Sequence, residues 1–246
     1  MIQKYNPKEP LLLFLVGTCL SIAQFVMIRD FVTILYGEEV VIILVTASFF
    51  LGLSLGYFLS LKFSEKFFRN SFLVIVFLHL TFPFSYRFLA VKIAQFDLEG
   101  YVYIILMFVY ALIFSSIFAV FLPRLIHGEG SSAESSIKKI KVLYSCEMVG
   151  FAYGFAFVGL SWNKGVDFIL PFYWTILAAI VYLVMQKKTW SIAFVLLAVL
   201  ATNFVTQLDR KTTSMLYDFK HHFEEAETDL LDISGQLIKP HSFSQT

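Results

Sequence analysis

Residues 101–122 read YVYIILMFVYALIFSSIFAVFL, a run without one charged side chain that stops at Pro123–Arg124. A helix needs about 20 mostly apolar residues to cross the hydrocarbon of a bilayer. The run is continuously apolar rather than apolar at every second position, which excludes a strand of a membrane β-barrel. Six more stretches of this kind flank it: Leu11–Ile28 (running on toward Tyr36), Val40–Leu61, Ser71–Val91, Val142–Trp162, Phe168–Met185 and Trp190–Thr206. His79 and Arg87 interrupt the third. The sequence therefore predicts an all-α integral membrane protein, a polytopic bundle of about seven transmembrane helices over residues 1–206. A polar C-terminal tail, residues 207–246, follows.

Composition points the same way. The 246 residues are 58% hydrophobic and 15% charged, against about 45–50% and about 25% in a soluble globular chain. A water-facing fold cannot bury that excess, so lipid must cover it. The net charge of +1 leaves no basic field to hold nucleic acid. Cys19 and Cys146 both fall inside apolar runs and supply no disulfide framework. The first run is longer than a signal-peptide core, and no small-residue cleavage site separates it from the second.

Loop charge gives an orientation. One set of loops carries eleven Lys and Arg, including Lys4, Lys8, Lys62, Lys66, Lys138, Lys139 and Lys141. The opposite set carries six: Arg29, Arg87, Lys92, Lys164, Arg210 and Lys211. Positive loops stay cytoplasmic, so a cytoplasmic N-terminus is expected. Seven crossings then put the tail outside. The stretch Gly128–Lys139 (GEGSSAESSIKK) reads as a flexible cytoplasmic linker, and Ser214–Leu231 has an amphipathic pattern.

Small residues recur every fourth position at Ser48, Gly52, Gly56 and Ser60, and again at Cys146, Gly150 and Gly154. That spacing puts them on one helix face, where another backbone can approach closely. Packing within the chain, a homodimer or a moving transporter seam could each use it. Glu147 follows Lys141 by six residues, about 9 Å of helix. It should lie below the membrane surface and face the bundle interior. Arg29 is a candidate partner, although the topology puts it near the opposite surface; Gln24, Tyr144 or water are the alternatives. A structural polar lock and a site for a cation or proton both fit Glu147, and Asp30 is a further informative acid. His79 is expected to be a hydrogen-bonded interior residue. His221 and His222 point about 100° apart on a helix and cannot form an i, i+4 metal pair. Trp162, Trp174 and Trp190 read as interfacial anchors. No triad, phosphate-cradling loop or metal signature is present in the sequence, so no catalytic residue, metal ligand or cofactor is expected.

Four ordered segments together resemble the membrane domain of spermidine synthase-like proteins, the polyamine aminopropyltransferase family. In SIAQFVMIRDFVTILYGEEV, Gln24, Arg29 and Gly37 match the end of that family's first span. TASFFLGLSLGYFLS is similar to its Gly-x-x-x-Gly helix at Gly52 and Gly56, and FAVFLPRLIHG to its fourth-span exit at Pro123 and Arg124. VLYSCEMVGFAYGFAFVGLSWNKGVD resembles the fifth span, with Glu147, Gly150, Gly154 and Gly165 in place. The likeness covers roughly residues 11–185. Long members continue into a cytoplasmic transferase domain with a G-G-G-D-G turn, which these residues lack. The resemblance thus implies a non-catalytic multi-pass subunit of the cytoplasmic (inner) membrane. It would anchor or regulate a separate soluble aminopropyltransferase-like subunit, or join other membrane-complex subunits. It also implies a cytoplasmic tail, against the loop-charge count. The competing expectation is a small secondary transporter for a cationic metabolite, with Glu147 and Gln24 at its site.

Overall fold

The computed structural model describes residues 8–35, 38–60, 62, 72, 74, 76–94, 100–127, 133–185 and 188–227. Helix α1 (Lys8–Leu35) opens with Glu9 in its first turn, where the helix dipole favours an acid, and Pro10, where no backbone donor is lost. It is followed by α2 (Glu38–Ser60), α3 (Phe84–Ala94), α4 (Gly100–Ala119), α5 (Phe121–His127), α6 (Ala133–Ser161), α7 (Val166–Met185) and α8 (Lys188–Glu227). A single 3-10 turn, Trp162–Lys164, leads into Gly165, whose φ of +75° turns the chain from α6 into α7. A side chain at that φ would be strained, so glycine fits the corner.

Six helical segments among the described residues are long and apolar enough to cross a membrane: Lys8–Val32, Glu39–Ser60, Ile104–Pro123, Ile137–Ser161, Val166–Val184 and Ile192–Met215. No strand occurs among the described residues. The protein is an all-α polytopic membrane bundle. The third expected span is built in two pieces: residues 76–81 are helical, the chain turns at Phe82–Pro83, and α3 restarts at Phe84. Proline offers no backbone N–H and crowds the preceding turn, so it breaks a run that hydropathy alone reads as continuous.

Two further expectations need correction. Residues 133–139, read as linker, are the first turns of α6. Their serines and low hydropathy read as linker, although polar residues are as compatible with the water-exposed first turns of a helix as with a loop. Trp174 is 1% exposed and sits in the core with Leu170, Leu177 and Val181 on one face of α7, not at an interface. The side chains of Trp162, Trp190, His221 and His222 lie outside the described residues, as do Gly37, Lys66, Arg69 and residues 228–246.

Helix α1 is the axis of the bundle, packed against α2, α6 and α7. Its seam with α6 is backbone on backbone. A Cβ added at Gly17 would overlap the Glu147 carbonyl, one at Gly150 the Phe14 carbonyl, and one at Gly154 the Ser21 hydroxyl. Thr18 Oγ1 bridges the seam, donating to the Gly150 carbonyl at 3.0 Å. The second seam joins α2 to α4, where Gly52 meets Leu112 and Ser115 and Gly56 meets Ser116 and Ala119. Ser48 and Ser60 flank these glycines and donate to carbonyls of their own helix, Leu44 at 2.6 Å and Tyr57 at 2.7 Å. Both small-residue faces are thus covered by helices of the same chain.

Among the described residues, an ion pair marks one end of the bundle and an ion cluster the other. Glu9 pairs with Lys139 at 3.0 Å, fixing the starts of α1 and α6 side by side. Asp30 lies 21 residues further along the unbroken α1, about 31 Å, which is one hydrocarbon thickness. Asp209 of α8 shares the Asp30 end through Arg87. The chain after Asp209 therefore continues from the end opposite the N-terminus.

Candidate functional site

Three helices, α1, α3 and α8, meet at Asp30. Arg87, on the first turn of α3, donates from Nε to Asp30 Oδ2 at 2.7 Å and from Nη1 to Asp209 Oδ1 at 2.7 Å. Nη1 also reaches the hydroxyls of Thr212 at 3.1 Å and Thr213 at 3.2 Å. The Tyr86 hydroxyl donates to Asp30 Oδ2, and Arg29 closes on Oδ1 from Nη2 at 2.7 Å. Arg87 is 1% exposed, yet its charge is matched. Two arginines face two aspartates, so the cluster is neutral as a set. A buried ion pair earns little net stability against an apolar core, but removing one member strands the other. The arrangement works as a latch that holds α8 to α1 and α3. It presents no nucleophile with a base.

Glu147 lies elsewhere. It is buried on α6, eight residues or about 12 Å from Lys139, and Tyr57 of α2 donates a hydrogen bond to its Oε2 at 3.0 Å. Among the described residues no Lys, Arg or His pairs with it. Gln24 instead donates from Nε2 to Thr46 Oγ1 at 3.2 Å, and Arg29 belongs to the Asp30 cluster. The structure therefore does not bring Glu147, Gln24 and Arg29 together. It joins Glu147 to a tyrosine that the sequence did not single out.

His79 is sandwiched between Phe114 and Phe118, with ring centroids 3.8 and 4.1 Å away, and shares a 2.5 Å hydrogen bond between Nδ1 and the Tyr173 hydroxyl. This aromatic packing ties the two-piece third segment to α4 and α7. No group of three or more His, Cys, Asp or Glu is placed to hold a metal among the described residues.

Sequence reasoning noted Arg87 as a break in the third run and as a loop charge, gave it no partner, and passed over Asp209. A signal was available. In a bundle of alternating direction, Asp30 near the end of the first span, Arg87 near the end of the third and Asp209 just past the last all fall at one end. An arginine within an apolar run calls for such a partner. No family model, curated protein or solved structure matches this chain.

Proposed function

We propose that this membrane protein is a non-catalytic subunit whose α8 arm holds a separate soluble partner at the end of the bundle opposite the N-terminus. One observation carries the reading: α8 continues as helix for 18 residues beyond Asp209, about 27 Å past the latch. A membrane anchor needs no such arm, and the latch fixes its base. The resemblance to spermidine synthase-like proteins supplies a class for the partner, an aminopropyltransferase-like chain. Such a partner is cytoplasmic, so this version requires the N-terminus to lie outside, against the loop charges. With a cytoplasmic N-terminus the partner is a different, external chain. A photo-cross-linking residue at Lys220 of the arm, in intact cells, should capture one defined soluble chain, and the same probe at exposed Leu196 in the span should not. A probe at Lys220 that yields no soluble adduct would sink the proposal.

Glu147 favours a second reading, a small transporter for a cationic metabolite or a proton. A buried acid without a protein cation is costly in a membrane and is a functional site by default. Glu147→Gln keeps the size and the acceptor for Tyr57. Uptake into vesicles should fall at least tenfold with thermal stability unchanged, and equal uptake by wild type and variant would remove this reading.

A further inference from the structure

Helices α7 and α8 part along their lipid-facing side and leave a groove of about 620 Å³. Pro171, Trp174, Ala178, Tyr182, Val195 and Val199 line it. The gap exists because alanines (Ala178, Ala179 and Ala198) stand where larger side chains would close it. It is apolar nearly throughout: Thr175 and Thr202 donate to the Pro171 and Ala198 carbonyls of their own helices at 2.8 and 2.9 Å, and Trp174 and Tyr182 add one polar atom each.

The same face of α8 then changes character. At 100° per residue, Ile192, Val199, Asn203, Thr206 and Arg210 fall within about 60° of one another, so one stripe leads out of the groove. Its outer part is a recess lined by Asn203, Thr206, Gln207, Arg210, Lys211 and Ser214, all exposed. Arg210 follows Asp209 directly, which puts it at the latch end of the bundle, one hydrocarbon thickness from Glu9. Asp209 is itself committed to Arg87, and among the described residues no acid pairs with Arg210 or Lys211. An apolar slot at membrane depth thus runs into two cations at the surface.

We propose that this stripe binds one anionic phospholipid, with an acyl chain in the α7–α8 groove and the phosphate at Arg210 and Lys211. An amphiphile with a negative head satisfies both halves of the stripe at once. A helix of a second copy would fill the apolar half and leave the cations unmatched. A cationic amphiphile would be repelled at the mouth.

The purified protein, reconstituted in equal phosphatidylglycerol and phosphatidylcholine and then gently extracted, should retain the anionic lipid in native mass spectra. Two basic residues at a membrane surface give a preference of about thirtyfold. Arg210→Gln with Lys211→Gln should bring the preference to parity while lipid is still retained, and each single change should lower it about fivefold. Ala179→Phe fills the groove and should lower retention of both lipids. Equal retention of the two lipids by wild type, or a preference unchanged in the double variant, overturns the assignment. So does rapid disulfide cross-linking between copies carrying Val199→Cys, which would give the groove to a second chain.

Discussion

Arg87→Ala is expected to destabilise the bundle by about 3–5 kcal/mol, the cost of stranding one side of a buried charge set. Asp30 would keep Arg29 and Tyr86 but lose the guanidinium that lies wholly inside the protein. Asp209, Thr212 and Thr213 would lose their shared donor, so α8 would detach as α3 loosens. Unfolding by denaturing detergent measures the first effect, and faster labelling of a cysteine at Thr213 measures the second. The double change Asp30→Asn with Arg87→Gln should recover more than half of the loss, because the deepest pair becomes neutral. An Arg87→Ala variant within about 1 kcal/mol of wild type would show that the cluster bears no load.

Gly150→Ala should be nearly as damaging, for a steric reason. The added methyl would land on the Phe14 carbonyl, a backbone atom that cannot rotate away, and would push α1 from α6. Overpacking of this kind costs about 1–3 kcal/mol, and this position belongs at the upper end. Gly159→Ala on the same helix is the control. Nothing lies within 4 Å of its added Cβ, and alanine gains up to about 1 kcal/mol in helix propensity. The two variants should therefore differ by about 3 kcal/mol in opposite directions, read from thermal unfolding of the purified protein. Equal stabilities would mean that the α1–α6 seam opens without cost.

The class of fold was legible because lipid imposes one requirement, a long apolar run, and residues 101–122 meet it without ambiguity. The glycine faces were legible as faces, since spacing alone puts Gly52 beside Gly56 and Gly150 beside Gly154. Their partners were not, because spacing says nothing about which helix lies opposite. Pro83 was hidden by the hydropathy of its neighbours, and α6 began earlier than its apolar part. The latch was missed for a related reason. Asp30, Arg87 and Asp209 are 57 and 122 residues apart in sequence, and each looks like an ordinary span-end charge until helix directions are combined. Glu147 was found because an acid inside an apolar run stands out, whereas its donor Tyr57 resembles any other aromatic residue in a span.

The partner arm and the lipid stripe both depend on α8 emerging opposite the N-terminus. Cysteines placed singly at Lys8 and at Ser214, with Cys19 and Cys146 replaced, can be labelled by a membrane-impermeant maleimide in sealed vesicles of known orientation. The helix directions require that one position react from outside and the other only after the vesicles are opened. Labelling of both from the same side would contradict the end-to-end assignment of Glu9–Lys139 and Asp30–Arg87–Asp209.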